Sequence, residues 1–233
     1  MNLKRVTITG ADDQVDPQAL IELSAEFPFV EWAFLVSKSK VGSPRYPKGW
    51  LRIIERLHGK SKTAVHLCGE IARAALSGDV DLTYVWHYSR VQLNGFSAYR
   101  LPGLRIANGH PEIEFILQCS NIDALDHAGE LAELHPNVSA LWDMSGGKGV
   151  ECVFWPSSRP GLRLGYAGGI TPDNVEQLLS RPLSHIDPIK ETWIDMESGV
   201  RTDDCFDIEK VRRVLELAAP FVVKEPPKEV SGG

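Results

Sequence analysis

The chain has 233 residues, 43% of them apolar and 24% charged, with a formal net charge of −6; this suits one sizeable globular domain and argues against a disordered or fibrous polypeptide. No basic cluster offsets the acidic balance, so neither a nucleic-acid backbone nor an anionic membrane is expected as a partner, and no run reaches the ~18 continuous apolar residues of a membrane span. The opening residues lack the apolar core of a signal peptide and the four cysteines form no Cys-x-x-Cys pair, which leads to the expectation of a cytoplasmic protein with reduced thiols.

Short runs rich in Val, Ile, Leu and Phe alternate with amphipathic stretches, a pattern that predicts parallel strands joined by helical crossovers. Lys4–Thr9 is the first strand, and Asp16-Pro17 supplies the cap and first residue of a helix over Gln18–Glu26. Val30–Val36 is the second strand, followed by a long loop and a helix from Lys48 to Leu57. Thr63–Leu67 is the third, passing into a helix at Glu70–Leu76; a further amphipathic piece, Val80–Tyr88, precedes the fourth strand at Arg90–Leu93. A connection rich in Gly and Pro leads to strand five, Glu112–Gln118, and to a helix at Ala124–Leu134 with Asn121 or Asp123 as its cap. Val138–Asp143 is strand six and ends in the loop Ser145-Gly-Gly-Lys-Gly149. Leu162–Ala167 and Thr192–Met196 are strands seven and eight, with helices near Pro172–Leu179 and Asp207–Ala218.

Eight such units predict an α/β fold, a single-domain (β/α)8 TIM barrel over residues 1–223, with a flexible tail at 224–233. An open dinucleotide-binding sheet would carry a Gly-x-Gly-x-x-Gly turn after strand one, and the sequence has none there.

In such a barrel the chemistry sits at the C-terminal ends of the strands. The polar residues at those ends are Thr9, Arg45, Asn94, Gln118, Asp143, Lys148 and two glycine turns, Ala167-Gly168-Gly169-Ile170 and Asp195-Met196-Glu197-Ser198-Gly199. A carboxylate closing the apolar strand Ala140-Leu141-Trp142-Asp143 is costly to bury unless paired or used, although it could equally cap a turn facing water. Glycine turns also serve plain strand-to-helix connections. Two in consecutive final units match the barrel's usual phosphate corner, where backbone N–H groups meet an anion without an intervening Cβ. No histidine pair has metal-ligand spacing, and neither a metal nor another cofactor is expected.

Taken in order, these segments resemble the phosphoribosylanthranilate isomerase family. Ile8-Thr9-Gly10, Ser43-Pro44-Arg45-Tyr46, Val91-Gln92-Leu93-Asn94-Gly95, Leu141-Trp142-Asp143 with Gly146-Gly147-Lys148-Gly149, Ala167-Gly168-Gly169-Ile170-Thr171-Pro172-Asp173-Asn174-Val175 and Asp195-Met196-Glu197-Ser198-Gly199-Val200 are similar to that family's segments in the same order. The resemblance implies an aldose-ketose (Amadori) isomerisation of a phosphorylated ribosylamine in tryptophan biosynthesis, by a monomer or homodimer. It makes Asp143 the general acid and Arg45 the group that orients the substrate or steadies charge. It places the phosphate on Gly168, Gly169, Ser198 and Gly199, with Asn94, Gly146, Gly147 and Lys148 elsewhere in the pocket.

One element of the family pattern is replaced. The family's strand-one cysteine, its base, is Thr9 here, and the histidine of the fourth-strand motif is Asn94. An aliphatic hydroxyl is far too weak a base to take a carbon-bound proton alone. Three answers stand: a base relocated to His66, Cys68 or Glu114; another reaction on a phosphorylated sugar or amine; or a barrel that binds a phosphorylated small molecule without turning it over. An aldolase or epimerase would need a Schiff-base lysine or a metal cluster at the strand ends, and the sequence offers neither.

Overall fold

The computed structural model describes residues 3–78, 88–96, 101, 103–152, 154–181 and 191–223. Eight parallel strands follow one another around a closed barrel: β1 (Leu3–Thr9), β2 (Val30–Val36), β3 (Lys62–Leu67), β4 (Arg90–Leu93), β5 (Glu114–Cys119), β6 (Val138–Trp142), β7 (Arg163–Ala167) and β8 (Thr192–Met196). Closure comes from β1 pairing with β8, where Thr7 faces Asp195 and Ile8 faces Met196. The predicted (β/α)8 barrel is therefore the fold.

Among the described residues the crossovers contain α1 (Pro17–Glu26), α2 (Trp50–Leu57), α3 (Glu70–Ser77), α4 (Arg105–Gly109), α5 (Ile122–Leu134), α6 (Val175–Ser180) and α7 (Ile208–Ala218). Asp16 and Asn121 cap α1 and α5 through their side-chain oxygens, as their short polar side chains and extended backbone allow. Asp13, in the loop after β1, accepts from the N–H groups of Lys48 and Gly49 in the neighbouring loop after β2, both at 2.8 Å, at the start of α2.

Several boundaries depart from the sequence reading. Strand five runs from Glu114 to Cys119 and strand six stops at Trp142, so Asp143 lies just beyond its strand. The connection read as irregular contains the single-turn helix α4, too short for a hydrophobic period to reveal. After β8, two-residue strands β9 (Arg201–Thr202) and β10 (Cys205–Phe206) form a hairpin, turned by Asp203 and Asp204 with φ of 50° and 58°; Asp tolerates this left-handed region better than most residues. The amphipathic piece expected at Val80–Tyr88 falls outside the described residues except for Tyr88, and the tail expected at 224–233 lies wholly outside them.

Strand side chains alternate between the barrel interior and the helices. Outward residues and the helices share the large apolar core, which includes Val6, Ile8, Val65, Leu93, Leu125 and Val214. Each such buried side chain is worth about 1.5–3 kcal/mol. The interior has a small apolar cluster of its own, Ile116, Leu141, Ala167 and Trp193. Gly165 is required here because a Cβ at that position would collide with the Trp193 indole.

At the N-terminal end the interior is closed by charge. Arg90 donates to Glu31 at 2.6 Å and to Glu114 at 3.0 Å, its guanidinium lies 4.4 Å from the Trp193 ring centre, and Thr7 donates to Glu31 at 3.0 Å. Thr7, Glu31 and Arg90 are buried and Glu114 is partly so; bonded to one another, they plug one end of the barrel and leave the other open.

Candidate active site at the C-terminal end of the barrel

One strand position beyond the Trp193 cluster, the inward side chains become polar. Thr9, His66, Gln92, Gln118, Asp143 and Asp195 converge on a cavity of about 60 Å³, whose wall is completed by Gly168, Gly169, Ser198 and Gly199. It adjoins a broader hollow of about 620 Å³ reached past Asn94, Arg45, Tyr46 and Cys68. The folded barrel thus brings Thr9, Asn94, Asp143, Gly147 and the two glycine turns to one place. Gly146 lines only the outer hollow, and Lys148 is exposed and lines neither.

Asp195 is the residue the sequence reading had cited only as the start of a turn. It stands one position before the end of β8, is 6% exposed, and accepts a 2.7 Å hydrogen bond from Thr9 Oγ1. Burial raises its carboxyl pKa to about 7; the Thr9 bond opposes the rise, and the negative charges of Glu197, Asp143 and Glu31 add to it. A signal was present in the sequence: a carboxylate inside Trp193-Ile194-Asp195-Met196 has the same cost as one at the end of β6.

Asp143 is held differently. Its Oδ1 accepts from the Ser145 N–H at 3.0 Å and from Ser145 Oγ at 2.7 Å, and its Oδ2 from the Gly147 N–H at 2.6 Å and from Gln118 Nε2 at 2.9 Å. The glycine loop after β6 therefore serves to wrap the Asp143 carboxyl. Two of these partners are backbone donors and two are side-chain donors, the Ser145 hydroxyl and the Gln118 amide.

His66 on β3 sits beside this pair, its Nδ1 4.0 Å from Asp195 Oδ2. Burial, reinforced by the positive charge of Arg90, lowers its pKa to about 3, so the imidazole is neutral and the approach is not an ion pair. Cys68 accepts from Asn94 Nδ2 at 3.1 Å, and burial pushes its thiol up. Glu114 stands at the opposite end of the barrel; burial works against its charge, but Arg90 and Arg163 hold its carboxylate below the usual range.

Both glycine turns lie on the wall of the small cavity. Gly168 and Gly169 take φ of 103° and 64°, a region that favours glycine. A Cβ on Gly199 would run into the Ile170 carbonyl, so that glycine holds the two turns together. Among the described residues, no turn, loop or cap hydrogen bond to the backbone uses the N–H groups of Gly169, Ser198 or Gly199. At the rim, Arg45 donates to Glu197 and to Asp204, both at 2.8 Å, and to Ser198 Oγ at 3.1 Å. Its φ of 91° is unusual for a side-chain-bearing residue. Among the described residues no group of three or more His, Cys, Asp or Glu side chains could hold a metal ion, and no helix is long and apolar enough to cross a membrane.

No family model matches the sequence, and no curated protein matches it either. Solved structures do match the fold. A phosphoribosyl anthranilate isomerase from Thermus thermophilus superposes with a TM-score of 0.59 at 18% identity, over 93% of this chain and 98% of that one. The phosphoribosyl anthranilate isomerase from Thermococcus kodakaraensis gives 0.53 at 16%, over 93% and 99%. The spore coat polysaccharide biosynthesis protein spsE from Bacillus subtilis gives 0.56 at 12%, over 100% of this chain and 74% of that one. At these identities the likeness is one of fold.

Proposed function

We propose that the chain is an aldose-ketose isomerase of phosphoribosylanthranilate isomerase type, acting on a phosphorylated ribosylamine. The observation that carries this reading is the single cavity in which two buried carboxyls in contrasting settings, Asp143 and Asp195, face both glycine turns. An Amadori rearrangement needs one group to protonate the ribose ring oxygen and another to take the proton from C2. Asp195, with a pKa of about 7, is suited to the second task, and Thr9 positions it. Thr9 thus stands in the place of the base without being the base. Asp143, held by Ser145, Gly147 and Gln118, is assigned the first proton. The phosphate lies on the N–H groups of Gly169, Ser198 and Gly199, and Arg45 stands over the substrate's amine-bearing end.

The test is turnover of phosphoribosylanthranilate, followed by its fluorescence. The reading requires activity in the wild type and its loss in both Asp143→Asn and Asp195→Asn; an Asp195→Asn variant of near-normal rate overturns the assignment of the base.

A second reading, a barrel that binds a phosphorylated small molecule or isomerises a different sugar phosphate, is favoured by one observation. Both sides of the Arg45 guanidinium are already taken by Glu197 and Asp204, which leaves less positive charge for an anionic aromatic group. Binding of ribose 5-phosphate without turnover of phosphoribosylanthranilate would select it.

A further inference from the structure

We infer that His66 and Gln92 form a subsite for one hydroxyl group, the hydroxyl on the sugar carbon that yields its proton to Asp195. The inference rests on the proposed isomerase reading and extends it to how the substrate's ring is recognised.

His66 and Gln92 are direct partners in the pairing of β3 with β4, so their side chains stand next to each other on the inner face. Each is 2% exposed, and each has an atom without a hydrogen-bond partner, His66 Nε2 and Gln92 Oε1. Both residues line the small cavity. A buried polar atom left unpaired is costly, and here the two residues that carry such atoms are register neighbours on the wall of one cavity.

The orientation of Gln92 is fixed by a relay of donors. Its Nε2 donates to Asn94 Oδ1 at 2.8 Å, and Asn94 Nδ2 donates to Cys68 Sγ at 3.1 Å. The relay leaves Oε1 as a pure acceptor. His66 is neutral, and in the tautomer that carries the proton on Nε2 that nitrogen is a donor while Nδ1 is an acceptor; the subsite takes this tautomer. A hydroxyl is the group that satisfies both at once, donating to Gln92 and accepting from His66; a carbonyl would satisfy only His66, an ammonium only Gln92. Asp143, Asp195 and Glu197 also line the cavity with acceptors, which suits a polyol and opposes an anion on the floor.

The position of the hydroxyl follows from Asp195. Its Oδ2 is 4.0 Å from Nδ1 of the imidazole whose Nε2 meets the hydroxyl, so the proposed base stands beside the subsite and the carbon bearing that hydroxyl is the one placed to give it a proton. In an aldose-ketose isomerisation that carbon is C2. The neutral imidazole then also bonds the oxygen on which enol character develops.

The experiment compares ribose 5-phosphate with 2-deoxyribose 5-phosphate by titration calorimetry on the wild type, His66→Phe and Gln92→Leu, with thermal unfolding as the check on folding. The expected result is a wild-type preference of at least about tenfold for ribose 5-phosphate. In both variants the preference should fall to within about twofold while affinity for the deoxy sugar holds; a folding defect would instead weaken both sugars together. Equal wild-type binding of the two sugars, as when a resident water keeps His66 and Gln92 satisfied, overturns the subsite alone and leaves the phosphate reading standing. A preference that survives both substitutions also overturns it. Absence of binding by either sugar overturns the subsite and the phosphate reading together.

Discussion

Thr9 Oγ1 donates to Asp195 Oδ1 at 2.7 Å across the seam where β1 closes on β8, joining two residues 186 positions apart in sequence. The bond ties the residue that cannot be a base to the one that can. It also favours the charged carboxylate, so removing it raises the Asp195 pKa further above about 7. Thr9→Val is expected to move the low-pH limb of the kcat/KM profile to higher pH, while Thr9→Ser leaves it in place. Asp195→Asn should lower turnover by about 10²–10⁴-fold. An unmoved pH profile in Thr9→Val would show that the bond does not govern Asp195.

The same pair gives a pH signature in stability. Asp195 titrates near 3.8 unfolded and about 7 folded, so its contribution is full below pH ~4 and is lost as pH rises to about 7. His66 titrates near 6.5 unfolded and about 3 folded, so its contribution has the opposite sign, rising with pH between those values. Over the shared window the two contributions run in opposite directions and offset one another. The difference in unfolding free energy between Asp195→Asn and wild type should therefore climb with pH from about 4 to 7, and that for His66→Phe should fall. Urea titrations at several pH values measure both; a flat difference for Asp195→Asn would place its folded pKa near the ordinary value.

Glu197 sets a carboxylate beside the glycine turns and occupies Arg45 through a 2.8 Å ion pair. Glu197→Gln removes the repulsion and frees the guanidinium for an anion. Inorganic phosphate should then bind several-fold more tightly, about 1 kcal/mol for a partly exposed pair, and the gain should shrink with added salt. Unchanged phosphate affinity would place the anion away from Ser198.

Gly165 is predicted to tolerate no side chain. Gly165→Ala would press a Cβ into the Trp193 indole and should cost about 1–3 kcal/mol of stability through overpacking. The double variant Gly165→Ala/Trp193→Leu should recover part of that loss, which denaturant unfolding would show.

Much of the fold was legible because it is local. The alternation of apolar strands with amphipathic helices, Asp16 as a cap, and the order of eight units all follow from residues within a few positions of each other. The shortest pieces, α4 and the β9–β10 hairpin, escaped because one turn or two residues carry no period. In the site, Asp143 and the glycine turns could be found from their strand ends, and His66 was named as a possible base. Its surroundings change that reading: an imidazole with a pKa lowered to about 3 bonds well but is a poor proton acceptor. Glu114 was named for its place on β5, yet strand polarity sets it at the plugged end of the barrel beside Arg90.

The sequence by itself therefore determined the barrel, the end of it where the polar residues gather, and the two glycine turns there, because strand period, turn residues and chain order are properties of neighbouring residues. Only the tertiary structure decided which polar groups meet in the cavity and in what electrostatic setting. The pairing of Thr9 with Asp195, the elevated Asp195 pKa and the neutrality of His66 each depend on which distant groups exclude water from the same small cavity, and dielectric and charge act through space rather than along the chain.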